Sequence, residues 1–158
     1  MPFLTLAALV LCLGVSPDGQ AALKKQVYDE SADARMEVAK TIAVARADGK
    51  RILLVFGANW CSDCIALDAR FHEPPAKPVV DANFHVVHID IGRGPAGKNL
   101  DLAKKYEIPL NRGVPAVAVL DSDGKLLHSQ KNGEFEPAGR LGPEPIVDFL
   151  NRWKPARR

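Results

Sequence analysis

Apolar residues fall along this chain in two rhythms. Between Tyr28 and Asp48 they recur at helical spacing (Ala32, Met36, Ala39, Ile42, Ala43, Ala47). This predicts a first helix, with Ser31 capping its start and Asp48-Gly49-Lys50 turning the chain out of it. Arg51–Phe56 then runs Ile-Leu-Leu-Val-Phe with no polar alternation, the pattern of a strand covered on both faces. From Cys61 to about Phe71, Ile65, Leu67 and Ala69 are set against Asp63, Asp68 and Arg70, predicting a helix with one buried and one wet face. Pro74-Pro75 and Pro78 stop it, and Val79–Ala82 adds at most a short turn. Phe84–Ile91 is a second, nearly continuous apolar strand, and Asn99–Tyr106 a short helix. Ala116–Leu120 and Lys125–Gln130 flank Asp121-Ser122-Asp123-Gly124, a hairpin turn. Pro143–Trp153 closes the chain as a helix with a stripe of Ile146, Phe149, Leu150 and Trp153. The order α-β-α-β-α-β-β-α implies an α/β fold, a mixed sheet between layers of helices.

Composition adds three constraints. At 158 residues the chain is one domain's worth, long enough to bury a core without staples. An apolar fraction of 47% with 25% charged residues is ordinary for a soluble globular protein. A formal net charge of +2 is too small to argue for nucleic acid or an anionic membrane surface as partner, and none is expected. The apolar run Pro2–Val15, followed by Ser16-Pro17-Asp18-Gly19-Gln20-Ala21-Ala22, has the length of a secretory leader rather than a membrane span. Residues 1–21 are therefore expected to be a signal peptide cleaved after Ala21 or Ala22, leaving one domain over residues 22–158. No Lys or Arg precedes the run, so an uncleaved anchor is the alternative. Leu11 before Cys12 argues against lipidation there, and removal of the leader would remove Cys12 with it.

The remaining cysteines lie in Trp60-Cys61-Ser62-Asp63-Cys64, just after the buried strand. If a helix begins there, its unpaired N–H groups and dipole favour a thiolate at Cys61. Cys64 falls one turn deeper on the same side, within reach of a mixed disulfide on Cys61. A bridge across two residues closes too small a loop to be a useful staple. Zinc needs four ligands, there is no second C-x-x-C, and His85 and His88 point to opposite faces of one strand. The pair reads as redox chemistry, Cys61 as nucleophile and Cys64 as resolving thiol. Asp63 in the first turn favours the helix but opposes a Cys61 thiolate, so Ser62 and Asp63 are the candidate tuning residues. Trp60 offers a flat apolar surface beside the nucleophile.

Trp60-Cys61-x-x-Cys64 after a Val-Phe-Gly-Ala strand end, with Gly113-Val114-Pro115 leading into Ala116–Leu120, resembles the thioredoxin superfamily over roughly Ala32–Trp153. The resemblance implies a thioredoxin fold, a central mixed sheet flanked by helices on both faces. It also implies a cis Pro115 facing the cysteines, and a Val114 backbone that pairs with a docking peptide, making Trp60, Val114 and Pro115 the substrate-binding set. Two departures stand out. Val55 occupies the place of the buried Asp of thioredoxin itself, and Val86 falls where its Lys partner is expected, so the proton relay passes to water or another group. The loop Arg93–Asn99 is longer than the family minimum. The implied activity is an extracytoplasmic (periplasmic or secreted) thiol–disulfide oxidoreductase, a reductase or electron relay without a cofactor. It would act as a monomer on protein disulfides and be recharged by a membrane-bound thiol partner. A peptide-binding module with a structural disulfide is the rival, separated by whether the bond cycles under dithiothreitol.

Overall fold

The strand Arg51–Gly57 (β1) is buried along its whole length after Arg51, and both faces are covered. In the computed structural model, which describes residues 26–94 and 96–156, it lies inside a four-stranded sheet. Its neighbours are Phe84–Asp90 (β2), parallel to it, and Ala116–Leu120 (β3), antiparallel to it. Leu126–Ser129 (β4) pairs antiparallel with β3 at the edge, giving the order β2-β1-β3-β4. The expected leader and Cys12 lie outside the described residues. Among the described residues no helix is long and apolar enough to cross a membrane.

Side-chain alternation sorts β1 between two cores. Ile52, Leu54 and Phe56 pack with Val87, Ile89, Ala118 and Leu120 beneath Ala34–Asp48 (α1) and Leu100–Lys105 (α4). Leu53 and Val55 pack with Val117 and Val119 against Ser62–Phe71 (α2), Ala76–Asn83 (α3) and Pro143–Trp153 (α5). A strand with helices on both faces gains from apolar residues at every position, about 1.5–3 kcal/mol for each large side chain taken from water. That is why its sequence shows no alternation.

Several elements differ from the sequence expectation. α1 begins at Ala34, not Tyr28, because Asp33 rather than Ser31 caps it, its Oδ1 accepting from the Arg35 and Met36 amides at 3.0 and 3.1 Å. Its buried residues are Ala34, Val38 and Ala45, and Met36 is exposed. The short turn at Val79–Ala82 is the full helix α3, which starts directly after Pro75; Pro78 sits in its first turn, where the missing N–H costs nothing. A 3-10 turn, Leu110–Arg112, lies in the crossover to Pro115. β2 ends at Asp90 rather than Ile91, α4 loses one residue at each end, and β4 is trimmed to Leu126–Ser129. The hairpin turn is tied by Asp121 Oδ1, which accepts from the Asp123 and Lys125 amides, with Gly124 at φ +86°.

Candidate functional site

β1 ends at Gly57, and the chain turns through Ala58-Asn59-Trp60 into α2, with Cys61 as its N-cap. Cys61 and Cys64 are joined in a disulfide, their Cα atoms 5.2 Å apart. The Cys61 sulfur also accepts from the Cys64 amide at 3.1 Å, so it occupies the seat of an N-capping oxygen. A donor that would otherwise lack a partner at a helix start is thus aimed at this sulfur. Cys61 is 8% exposed and Cys64 not at all. Access from solvent is thus to Cys61, while Cys64 lies below it in the protein.

Beside the sulfurs the Val114-Pro115 peptide is cis, and the Val114 carbonyl oxygen is 3.5 Å from the Cys61 sulfur. Pro115 is buried and Val114 partly so. Trp60, Cys61, Ser62 and Asp63 form one side of a groove of about 430 Å³; Ile91, Leu110, Gly113, Val114 and Glu136 form the rest. Trp60 is 43% exposed, and its indole N–H donates to the Gly92 carbonyl at 2.8 Å, which pins the ring at the groove edge. The glycine-rich loop after Ile91 therefore borders the site, and the Lys98 amide closes it by donating to the Ile91 carbonyl at 2.7 Å. Asp63 turns toward the segment before α5 and accepts from the Gly139 amide at 2.8 Å. Ser62 is exposed at the helix start. Ile91, Leu110 and Glu136 were not singled out in the sequence, because only the loop crossover places them opposite the cysteines.

Under the cysteines the arrangement departs from expectation. Val55 is buried at 1% exposure, but its partner across the parallel ladder is His88; Val86 pairs with Leu53. A polar side chain thus stands two residues from the position expected to hold one. Asp68, assigned above to the wet face, is 3% exposed, since the buried stripe of α2 is Cys64, Leu67, Asp68 and Phe71. Its Oδ1 lies 3.3 Å from His88 Nε2 and 3.5 Å from His72 Nδ1.

Tyr28 is the largest omission. It precedes α1 in an irregular segment held by Asn59, whose Oδ1 accepts from the Val27 and Tyr28 amides at 2.9 and 3.0 Å while Nδ2 donates to the Tyr28 carbonyl at 2.7 Å. Its ring is fully buried against Cys61 and Cys64. Burial foremost, then the negative charges of Asp68 and Asp90, raises the hydroxyl pKa well above the ordinary tyrosine value. No sequence signal marks Tyr28, because the residues that bury it, Cys61 and Cys64, lie more than thirty positions away. His85, on the opposite face of β2, pairs with Asp48 at 2.8 Å. Among the described residues no group of three or more His, Cys, Asp or Glu is arranged to hold a metal ion.

Comparison with known proteins follows the same lines. A family model described as thioredoxin-like matches residues 33–122. The crystal structure of a disulphide isomerase from Xylella fastidiosa Temecula1 is 40% identical, with a TM-score of 0.75 over 81% of this chain and 96% of that one. A DsbH oxidoreductase is similar at 25% identity and a TM-score of 0.53, covering 72% of this chain and 78% of its own. Among curated proteins, thiol:disulfide interchange protein DsbD 2 of Pseudomonas aeruginosa is 22% identical over 122 residues, 77% of this chain. The chain spans 19% of that relative's length.

Proposed function

Because the chain belongs to the thioredoxin-like family, we propose that it is a thiol–disulfide oxidoreductase in which Cys61 is the nucleophile and Cys64 the resolving thiol. The observation that carries this is the placement of the two sulfurs. One caps a helix at the side of a groove, and the other is buried one turn behind it, joined to the first in a disulfide. In the reducing direction the Cys61 thiolate attacks one sulfur of a substrate disulfide. The Cys61–substrate bond forms, and the electron pair of the broken bond leaves on the other substrate sulfur. Cys64 then attacks Cys61, closes the disulfide and releases the second substrate thiolate. Donors at the start of α2 stabilise the thiolate that begins the cycle.

The substrates are protein disulfides. A strand of substrate laid along Val114, against Trp60 and Pro115, would bring its sulfur to Cys61. Ser62 and Asp63 tune the nucleophile from the first turn. The apolar leader over residues 1–21 supports an extracytoplasmic location, periplasmic or secreted, with residues 22–158 as the working monomer. No His separates the cysteines, and a periplasm has no small-thiol buffer. Both support a reductase or relay recharged by a membrane-bound thiol partner, with no cofactor of its own. The test is Cys64→Ser, which should accumulate mixed disulfides between Cys61 and extracytoplasmic proteins that dithiothreitol releases. A Cys64→Ser protein that captures nothing reducible, with a wild-type disulfide that does not cycle, would overturn the reading in favour of a binding module with a structural bond.

A further inference from the structure

Cys64 must lose a proton before it can attack, and it has no exposure to water through which to lose it. The groups around it are unusual for a core. An ideal Cβ built on Gly57 would lie 2.6 Å from the Cys64 sulfur and 2.4 Å from the Tyr28 hydroxyl, so both atoms border the bare face of that glycine. One turn along α2, Asp68 shares the buried side with Cys64. Its Oδ1 is 3.3 Å from His88 Nε2, at ion-pair distance but out of line for a hydrogen bond. The His88 ring stands edge-on to Tyr28, centroids 5.2 Å apart. Among the described residues, the buried Tyr28 hydroxyl and His88 Nε2 have no hydrogen-bond partner while the cysteines are joined. Unpartnered buried polar atoms are costly, and these two belong to rings that pack against each other.

We propose that Tyr28, His88 and Asp68 form a proton relay for Cys64. It deepens the reading of Cys61 and Cys64 given above and rests on it. In the resolving step the Cys64 S–H bond breaks and its proton passes to the Tyr28 oxygen, as the hydroxyl's own proton moves to the His88–Asp68 pair. The Cys64 sulfur bonds to Cys61, and the electron pair of the Cys61–substrate bond leaves on the substrate sulfur. Reduction of the disulfide by an incoming dithiol returns the proton along the same path. The relay has an outlet. His88 lines a cleft of about 400 Å³ with Val27, Asp29, Glu37 and Thr41, on a different wall of the protein from the Trp60 groove. Protons thus exchange with solvent away from the docked substrate. The other titratable groups facing the relay are His72 on α2, Asp90 on β2 with Lys98 at 3.5 Å from it, and Asp29 and Glu37 on the cleft wall.

The experiment separates the two chemical steps. Attack by Cys61 on oxidised glutathione is timed in a Cys64→Ser background, and release of glutathione is timed with Cys64 present, across pH. Tyr28→Phe, His88→Gln and Asp68→Asn should each slow release relative to attack by about ten-fold or more near neutral pH, with the loss shrinking as solvent hydroxide replaces the relay. Asp68→Glu should recover most of it. A ratio of release to attack within about two-fold of wild type in all three variants at every pH would overturn the relay and leave the cysteine roles standing. If Asp68→Asn folds poorly, Asp68→Glu decides, because it keeps the carboxylate: a release-to-attack ratio within about two-fold of wild type supports the relay, and a ratio lowered about ten-fold overturns it. Failure of the underlying reading looks different, because Cys61 then shows no attack on glutathione at all.

Discussion

Gly57→Ala tests the packing on which the site is built. The added Cβ would lie 2.4 Å from the Tyr28 hydroxyl oxygen, 2.8 Å from the ring carbon that bears it and 2.6 Å from the Cys64 sulfur. Ordinary contacts are about 3.5–4.0 Å, so the neighbours must move by about 1 Å. Neither is the free end of a flexible side chain. Tyr28 and Cys64 are both fully buried, and the sulfur is tethered by its disulfide. Overfilling a rigid core costs typically 1–3 kcal/mol, and three close contacts put this site in the upper part of that range. Losing glycine's freedom in the unfolded chain returns about 0.4–1 kcal/mol. The expected net loss is about 2 kcal/mol, or roughly 4–8 °C in melting temperature for a chain of this size. Urea unfolding of the oxidised protein, followed by tryptophan fluorescence, measures it. Tyr28→Phe in the same background removes the shortest contact but not the other two, so it should restore part of the loss. A Gly57→Ala protein within about 0.5 kcal/mol of wild type would refute the close approach of Tyr28 to Cys64.

Asn59→Ala removes the acceptor for the Val27 and Tyr28 amides and the donor to the Tyr28 carbonyl. It should cost about 2–4 kcal/mol and speed hydrogen exchange at those two amides; unchanged exchange would mean that the buried ring alone holds the segment. His128 stacks on Trp153 at 4.6 Å, and burial lowers its pKa, opposed in part by Glu134. The unfolded chain therefore takes up the proton first. The stability that His128 contributes is complete above its ordinary pKa of about 6.5 and is lost as pH falls through and below that value. His128→Phe should flatten this acid limb in denaturant titrations at several pH values, and parallel curves for the two proteins would show that another group sets it.

The strands that carry the site, the two cysteines and the hairpin are legible in the chain alone. Each of these is a local pattern with one physical meaning. An unbroken apolar run implies a strand covered on both faces, and Cys-x-x-Cys at its exit puts one sulfur at a helix start. α5 was legible for the same reason, as a Pro at the first turn and an apolar stripe need no distant partner. The start of α1 is not legible, because Ser31 and Asp33 are both good caps in a string of letters, and the structure uses Asp33. Asp68 was placed in water because a carboxylate usually lies there. It is buried because His88 comes to meet it from β2. The pairing of Val55 with His88 rather than Val86 is a matter of ladder register, two residues along a parallel strand whose apolar positions do not specify it. What surrounds Cys64 is set by the fold. Tyr28, Asp68 and His88 come from three separate segments, and contacts between distant segments leave no period in the chain.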